Sequence, residues 1–252
     1  MIYKKSASKN LILQRNHKKH TKTAEELALK VITTINSKSK NNENSENAEN
    51  TDMPTILDSS ALPGPLCMNK LSKIGIFKHL DNQSGFSDKQ SKTVAGRSEI
   101  IKKLLPKNTI ACLYTSAWIW LGGSFPVTLD VLSQSHYRSR PHGRPIHVYT
   151  RKIIDGECVK IGNLLVTTPT RTVCDIALTQ TESEITQSLR YKTIYTLMEN
   201  YMINIKDCSN ILNDNHHFPS SVAAREWLES IMQLYIDENI CEREEENNHE
   251  YE

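Results

Sequence analysis

The chain has 252 residues, a formal net charge of +2 and 38% hydrophobic residues. The apolar share of a globular chain is ~45–50%, so one folded region with polar appendages fits better than a single packed domain of this length. Nine glycines argue against a glycine-cornered barrel or a phosphate-cradling loop fold, and collagen-like, coiled-coil and porin-like chains are excluded with them.

The charge is distributed as a gradient. Residues 1–40 hold ten Lys/Arg against two acids, and residues 237–252 hold one against eight. A basic arm commonly serves nucleic acid and an acidic tail commonly solvates; a lysine-rich end that is simply solvated is the competing reading. Within the arm, Thr23-Ala24-Glu25-Glu26 forms a capping box, and Leu27, Val31 and Ile35 follow at helical spacing, so a short helix is expected over 24–36. Residues 37–52 are rich in Asn, Ser and Glu with Ala48 as the only apolar residue. Such a tract cannot offset its ordering entropy and reads as a disordered linker. Residues 53–93 are intermediate, with Pro54, Pro63 and Pro65 in the first half and Leu71, Ile74, Ile76 and Phe77 as material for a strand or short helix.

From Val94 the pattern becomes regular. Ser98 can cap a helix carrying Ile100, Ile101, Leu104 and Leu105, stopped by Pro106. Asn108–Leu129 has no charge over 22 residues, the length of a membrane span. Its Gly122-Gly123-Ser124-Phe125-Pro126 segment would break a helix, so it reads as a buried helix over Ser116–Leu121, a turn and a strand. Val127–Leu132 alternates as a half-buried strand, Ile146–Tyr149 is another, and Cys158–Ile161 and Leu164–Thr167 pair around Gly162-Asn163. Thr168 caps a helix with Pro169 in its first position. Thr181-Glu182-Ser183-Glu184 opens a helix with Ile185, Leu189, Ile194, Leu197 and Met198 facing inward, and a last helix over roughly 221–236 buries Val222, Trp227, Leu228, Ile231, Met232 and Tyr235. The expected class is α+β: a small mixed sheet flanked by helices over 94–236, after a largely disordered N-terminal region and before the acidic tail 237–252.

No enzyme signature is present: no G-x-x-x-x-G-K-[ST], H-E-x-x-H or G-x-S-x-G, and no Cys/His set at zinc spacing. No catalytic residue, metal or cofactor is assigned. The six cysteines contain no C-x-x-C pair, and Lys4, Lys5 and Lys9 interrupt the apolar residues of Met1–Leu13, so a disulfide framework is not expected and a cytoplasmic location without membrane attachment is. His17 and His20 lie among lysines, and His216-His217 reads as a loop doublet. Asp155, Glu157 and Lys160 suggest a nuclease triad, but an offset of three puts Glu157 and Lys160 on opposite faces of a strand, and Asp155-Gly156 reads as a turn.

Two features carry binding chemistry. Val131–Ile154 has no acidic residue and contains Arg138, Arg140, Arg144, Arg151 and Lys152 with His136, His142 and His147. Such uncompensated charge favours phosphate, with Tyr137 and Tyr149 available for stacking. The alternative is a loop whose arginines pair with Asp130, Asp155 or Glu157 on folding. The second feature is Thr167-Thr168-Pro169-Thr170-Arg171-Thr172-Val173-Cys174-Asp175. A cation at the third helical position opposes the helix dipole, so Arg171 should find a partner. Asp175, one turn on, is the favoured one, locking this helix to the sheet; the alternative is an anion site of Arg171, threonine hydroxyls and helix N–H groups.

Together these residues resemble the AbiEi-like antitoxin family of type IV toxin–antitoxin systems, in its actinobacterial form. The landmarks are Ser116-Ala117-Trp118-Ile119-Trp120-Leu121-Gly122-Gly123, the Arg138–Arg144 loop leading into a strand with His147, and Val166-Thr167-Thr168-Pro169-Thr170-Arg171-Thr172 followed by Asp175. The resemblance runs from about Val94 to Tyr235. It implies a bacterial, non-enzymatic transcriptional regulator that binds the DNA of its own promoter and counteracts a nucleotidyltransferase-type toxin, with residues 53–93 as a degenerate winged-helix remnant. The endonuclease-like C-terminal part of some relatives has no counterpart here. A protein-interaction module derived from that family, without DNA binding, is the second expectation.

Overall fold

The computed structural model describes residues 54–63, 66–179, 184–214, 220–231 and 233, which fall into two compact units divided between Ser91 and Lys92. The helix expected over 24–36, the linker 37–52, most of the capping box at Thr181–Glu184, His17, His20, His216-His217 and the acidic tail lie outside the described residues.

In the first unit, β1 (Ile56–Asp58), α1 (Leu66–Lys73), β2 (Phe77–His79), β3 (Ser84–Ser87) and the one-turn α2 (Asp88–Ser91) follow in order. The strands form an antiparallel sheet in the order β1-β3-β2, with Ile56 opposite Phe86 and Phe77 opposite Ser87. Met68 and Leu71 turn inward from α1 onto Leu57, Leu62 and Phe77. The helix can approach because β3 carries Gly85, where an added Cβ would lie 2.9 Å from the Lys78 carbonyl oxygen and 3.0 Å from Met68 Sδ. Asp81 shapes the hairpin, its Oδ1 accepting from the backbone N–H of Gln83 at 2.7 Å and of Ser84 at 2.6 Å. Of the apolar quartet read from this stretch, Leu71 belongs to the helix and Phe77 opens a strand; Ile74 and Ile76 fall in the connection between them.

The second unit contains α3 (Val94–Leu104), β4 (Ile110–Ala111), α4 (Leu113–Leu121), β5 (Leu129–Leu132), β6 (Ile146–Tyr149), β7 (Cys158–Ile161), β8 (Leu164–Thr167), α5 (Pro169–Ala177), α6 (Glu184–Tyr201) and α7 (Ile205–Asp214), and a helix over residues 221–231, α8. Its five-stranded sheet has the order β6-β5-β4-β8-β7. β4 runs antiparallel to β5 and parallel to β8, β5 is parallel to β6, and β7 is antiparallel to β8. The α+β class with a small mixed sheet is therefore the architecture of this chain. Strand alternation places Ala111, Val131 and Val166 on one face, while Ile110 and Leu132 on the other pack into a core built with α4 to α8. Ser98 Oγ of α3 reaches the Ile161 carbonyl at 2.9 Å, tying that helix to β7.

Several boundaries differ from the sequence expectation for physical reasons. α3 starts at Val94 because Thr93 Oγ1 accepts from the Gly96 N–H at 3.0 Å, which leaves Ser98 inside the helix as its link to the sheet. All four residues of β5 are buried, since this interior strand is covered on both faces instead of one. Leu189 and Val222, expected to face inward, are 55% and 58% exposed. α7, with Cys208 and Leu212 buried, has no counterpart among the elements expected from the sequence. Among the described residues no helix is long and apolar enough to cross a membrane.

Candidate nucleic-acid interface

The acid-free tract folds as β5, a loop, β6 and the strand exit that follows, and its five cations separate into two groups. Arg138 and Arg140, in the loop, and Lys152, beyond β6, are exposed. Among the described residues their side chains make no ion pair or hydrogen bond. Arg144 instead braces the loop. Its Nε donates to the Pro126 carbonyl at 3.0 Å and its guanidinium lies 4.8 Å from the centre of the Phe125 ring, which roots the loop on the turn after α4. The tip is a tight turn at Pro141–Gly143, with His142 at φ 51. Arg151 also leaves the phosphate-facing set. Its side chain is 10% exposed and Nη1 lies 2.8 Å from Asp175 Oδ1, with a further bond to the Asp175 carbonyl at 3.0 Å. The tract is thus neither wholly free nor wholly neutralised: Arg151 ends on a carboxylate, and that carboxylate is Asp175, not the Asp130, Asp155 or Glu157 named as candidate partners.

The Thr168–Asp175 motif opens α5 and carries its buried ion pairs. Thr168 caps α5, its hydroxyl accepting from the Arg171 N–H at 3.3 Å, and Pro169 sits in the first turn. Arg171 is fully buried; its Nε bonds Asp175 Oδ1 at 3.1 Å and its Nη1 meets Glu157 Oε2 at 2.6 Å. The expected Arg171–Asp175 pair is present, and the tie to the sheet comes from Glu157, at the entry of β7. Burial alone would lower the affinity of Arg171 for its proton, but Asp175 and Glu157 outweigh it and hold its pKa above the ordinary value. Glu157 Oε2 also accepts from the Ile154 N–H at 2.8 Å. The Glu157 carboxylate is thus engaged by Arg171 and the Ile154 N–H, while Lys160 is exposed.

Two of the sequence landmarks meet in a buried hydroxyl cluster. Ser116 of α4, Thr167 of β8 and Thr172 of α5 lie 2.8–3.0 Å from one another, oxygen to oxygen. The Thr167 carbonyl also accepts from Trp120 Nε1 at 2.9 Å. The cluster fastens two helices to one strand end. Sequence spacing carries no signal for it, because partners 51 and 56 residues apart are brought together only by the β4–β8 pairing.

Asp130 is the remaining unusual group. It lies in β5 beside the start of α4, and its own N–H donates to Thr115 Oγ1 at 2.7 Å. Burial pushes its carboxyl up to about 7, against the opposing pull of the Tyr114 backbone N–H, the Thr128 hydroxyl and Arg151. His147, half-exposed on the edge strand β6, places Nδ1 3.7 Å from Asp130 Oδ1. The turn from β4 into α4 is tight, with the buried Leu113 at φ 43. Burial drives the adjacent Cys112 thiol well above its ordinary range, which keeps it neutral. Among the described residues no group of three or more His, Cys, Asp and Glu side chains could hold a metal ion.

No protein-family model matches the chain, and no curated protein matches it.

Proposed function

We propose that the protein is an antitoxin-like transcriptional regulator that binds DNA upstream of its own reading frame and counteracts a nucleotidyltransferase-type toxin, as the resemblance implies. The observation that carries the DNA-binding part is the exposed pair Arg138 and Arg140, set on a loop rooted by Arg144 and supplied with no acid of its own, with Lys152 exposed beyond β6. A loop held in place while its guanidinium groups face water loses little entropy on meeting phosphate.

The first unit supports the same reading. A strand, a helix and a hairpin in the sheet order β1-β3-β2 is the order of the second half of a winged helix. Asp58 is used to cap Ser60 at 2.9 Å, Asp81 shapes the hairpin, and Asp88 pairs with Lys78 at 3.0 Å. Lys70 and Lys73 on α1 are exposed and available to a polyanion.

The test is binding of the full chain to its upstream DNA as a function of salt. Each phosphate contact contributes ~0.9 to the log–log slope, so Arg138→Ala with Arg140→Ala should reduce its magnitude by ~1.8, and Lys70→Ala with Lys73→Ala by a similar amount. Absence of binding at low salt, or a slope unchanged in both double variants, overturns the proposal.

A further inference from the structure

The charge-free tract does more than fill a core. α4 and the turn after it form one wall of a groove of about 640 Å³ whose other wall is α6. That volume falls within the ~300–1,000 Å³ typical of small-molecule sites. Tyr114, Trp118, Leu121, Phe125 and Leu189 line it, and Trp118 and Phe125 meet edge to face at 4.7 Å. Gly122 and Gly123, at φ 80 and φ 83, allow the turn that brings Phe125 back over Trp118.

One charged group gives this apolar groove a direction. Lys192 is exposed on the α6 wall, and none of the described lining residues is acidic. A cationic ligand is therefore repelled. A polyanion would find one ammonium and a row of apolar side chains. The ligand class that fits is an aromatic ring system with a single negative charge.

We propose that this groove binds a small aromatic carboxylate, with its ring system between Trp118, Phe125 and Leu189 and its carboxylate at Lys192. The proposal does not depend on DNA binding by this chain.

The test titrates the full chain with 2-naphthoate, following tryptophan fluorescence and heat, against the neutral 2-naphthamide. Saturable one-to-one binding of naphthoate is expected, about fivefold tighter than naphthamide, which is what an exposed ion pair can supply. Lys192→Ala should remove that preference while leaving binding of the amide unchanged. Leu189→Glu, at a half-exposed position that does not endanger folding, should weaken both ligands at least tenfold. No saturable binding, equal affinity for acid and amide in the parent chain, or a preference that survives Lys192→Ala overturns the proposal. Decanoate binding as tightly as naphthoate would overturn the aromatic assignment.

Discussion

Replacing Arg171 by Met tests the buried charge network directly. The guanidinium is fully buried and holds two carboxylates, Glu157 at 2.6 Å and Asp175 at 3.1 Å. Methionine fills comparable volume without charge, so packing changes little. Glu157, 7% exposed, would keep the Ile154 N–H, and Asp175, fully buried, would keep Arg151. Removing one partner of a buried ion pair costs ~3–5 kcal/mol, a large part of the ~5–15 kcal/mol that stabilises a domain. At ~2–4 °C per kcal/mol for a domain of this size, the midpoint of thermal unfolding should fall by ~6–20 °C. Urea unfolding followed by tryptophan fluorescence gives the free energy, with an unchanged denaturant slope as the sign that the folded state is intact. Adding Glu157→Gln to Arg171→Met should recover part of the loss, since the orphaned charge is then gone. A loss below ~1 kcal/mol, or no recovery in the double variant, would refute the view that this network holds α5 to the sheet.

Three further substitutions separate the other elements. Asp130, with its pKa near 7 in the folded chain against ~3.9 unfolded, binds more protons folded than unfolded between pH 4 and 7, so it costs stability as pH rises through that window; the parent chain should gain on Asp130→Asn by a few kcal/mol between pH 8 and pH 5 in urea unfolding, and parallel pH profiles would contradict this. Gly85→Val should disrupt the first unit, because the new Cβ would meet the Lys78 carbonyl oxygen at 2.9 Å; limited proteolysis should then cut within 56–87 while 94–177 stays protected. Thr172→Val removes a hydroxyl from the buried cluster with Ser116 and Thr167 and should cost ~1–3 kcal/mol, read by urea unfolding, whereas a neutral result would mean that the remaining two hydroxyls satisfy each other.

Much of the second unit is legible because its signals are local. β6, β7 and β8 are bounded by turn residues, and Thr168-Pro169 opens α5 with a cap and a fixed φ. The pairing of Arg171 with Asp175 follows from one helical turn and an unfavourable dipole. What the sequence leaves open depends on contacts far apart along the chain. That Glu157 answers Arg171, and that Arg151 crosses to Asp175 instead of facing solvent, is decided by where β7 and the exit of β6 lie relative to α5. The strands of the first unit, three or four residues each, are too short to show alternation. The groove beside α6 is equally silent in sequence, since Trp118 reads there as part of a buried helix and Phe125 as part of the turn that ends it.

The split among the five cations of the acid-free tract carries the last prediction. If Arg138 and Arg140 serve phosphate while Arg144 and Arg151 hold the scaffold, the two pairs must fail differently. Arg138→Ala and Arg140→Ala lie at exposed positions, where substitutions usually shift stability by no more than ~0.5 kcal/mol, so thermal unfolding should be unmoved while the salt dependence of DNA binding flattens. Arg151→Met instead strips Asp175 of one of its two cations and leaves it to Arg171, so unfolding should move by several degrees. At a temperature where the variant remains folded, its salt slope should match that of the parent chain, because no phosphate contact has been removed. Arg144→Met should fall between the two: it strips the support at Pro126 and Phe125, so binding weakens through a looser loop and recovers as temperature is lowered. Equal losses of binding with unchanged stability for all four arginines would mean that they act as one electrostatic surface, and the distinction between anchors and contacts would fail.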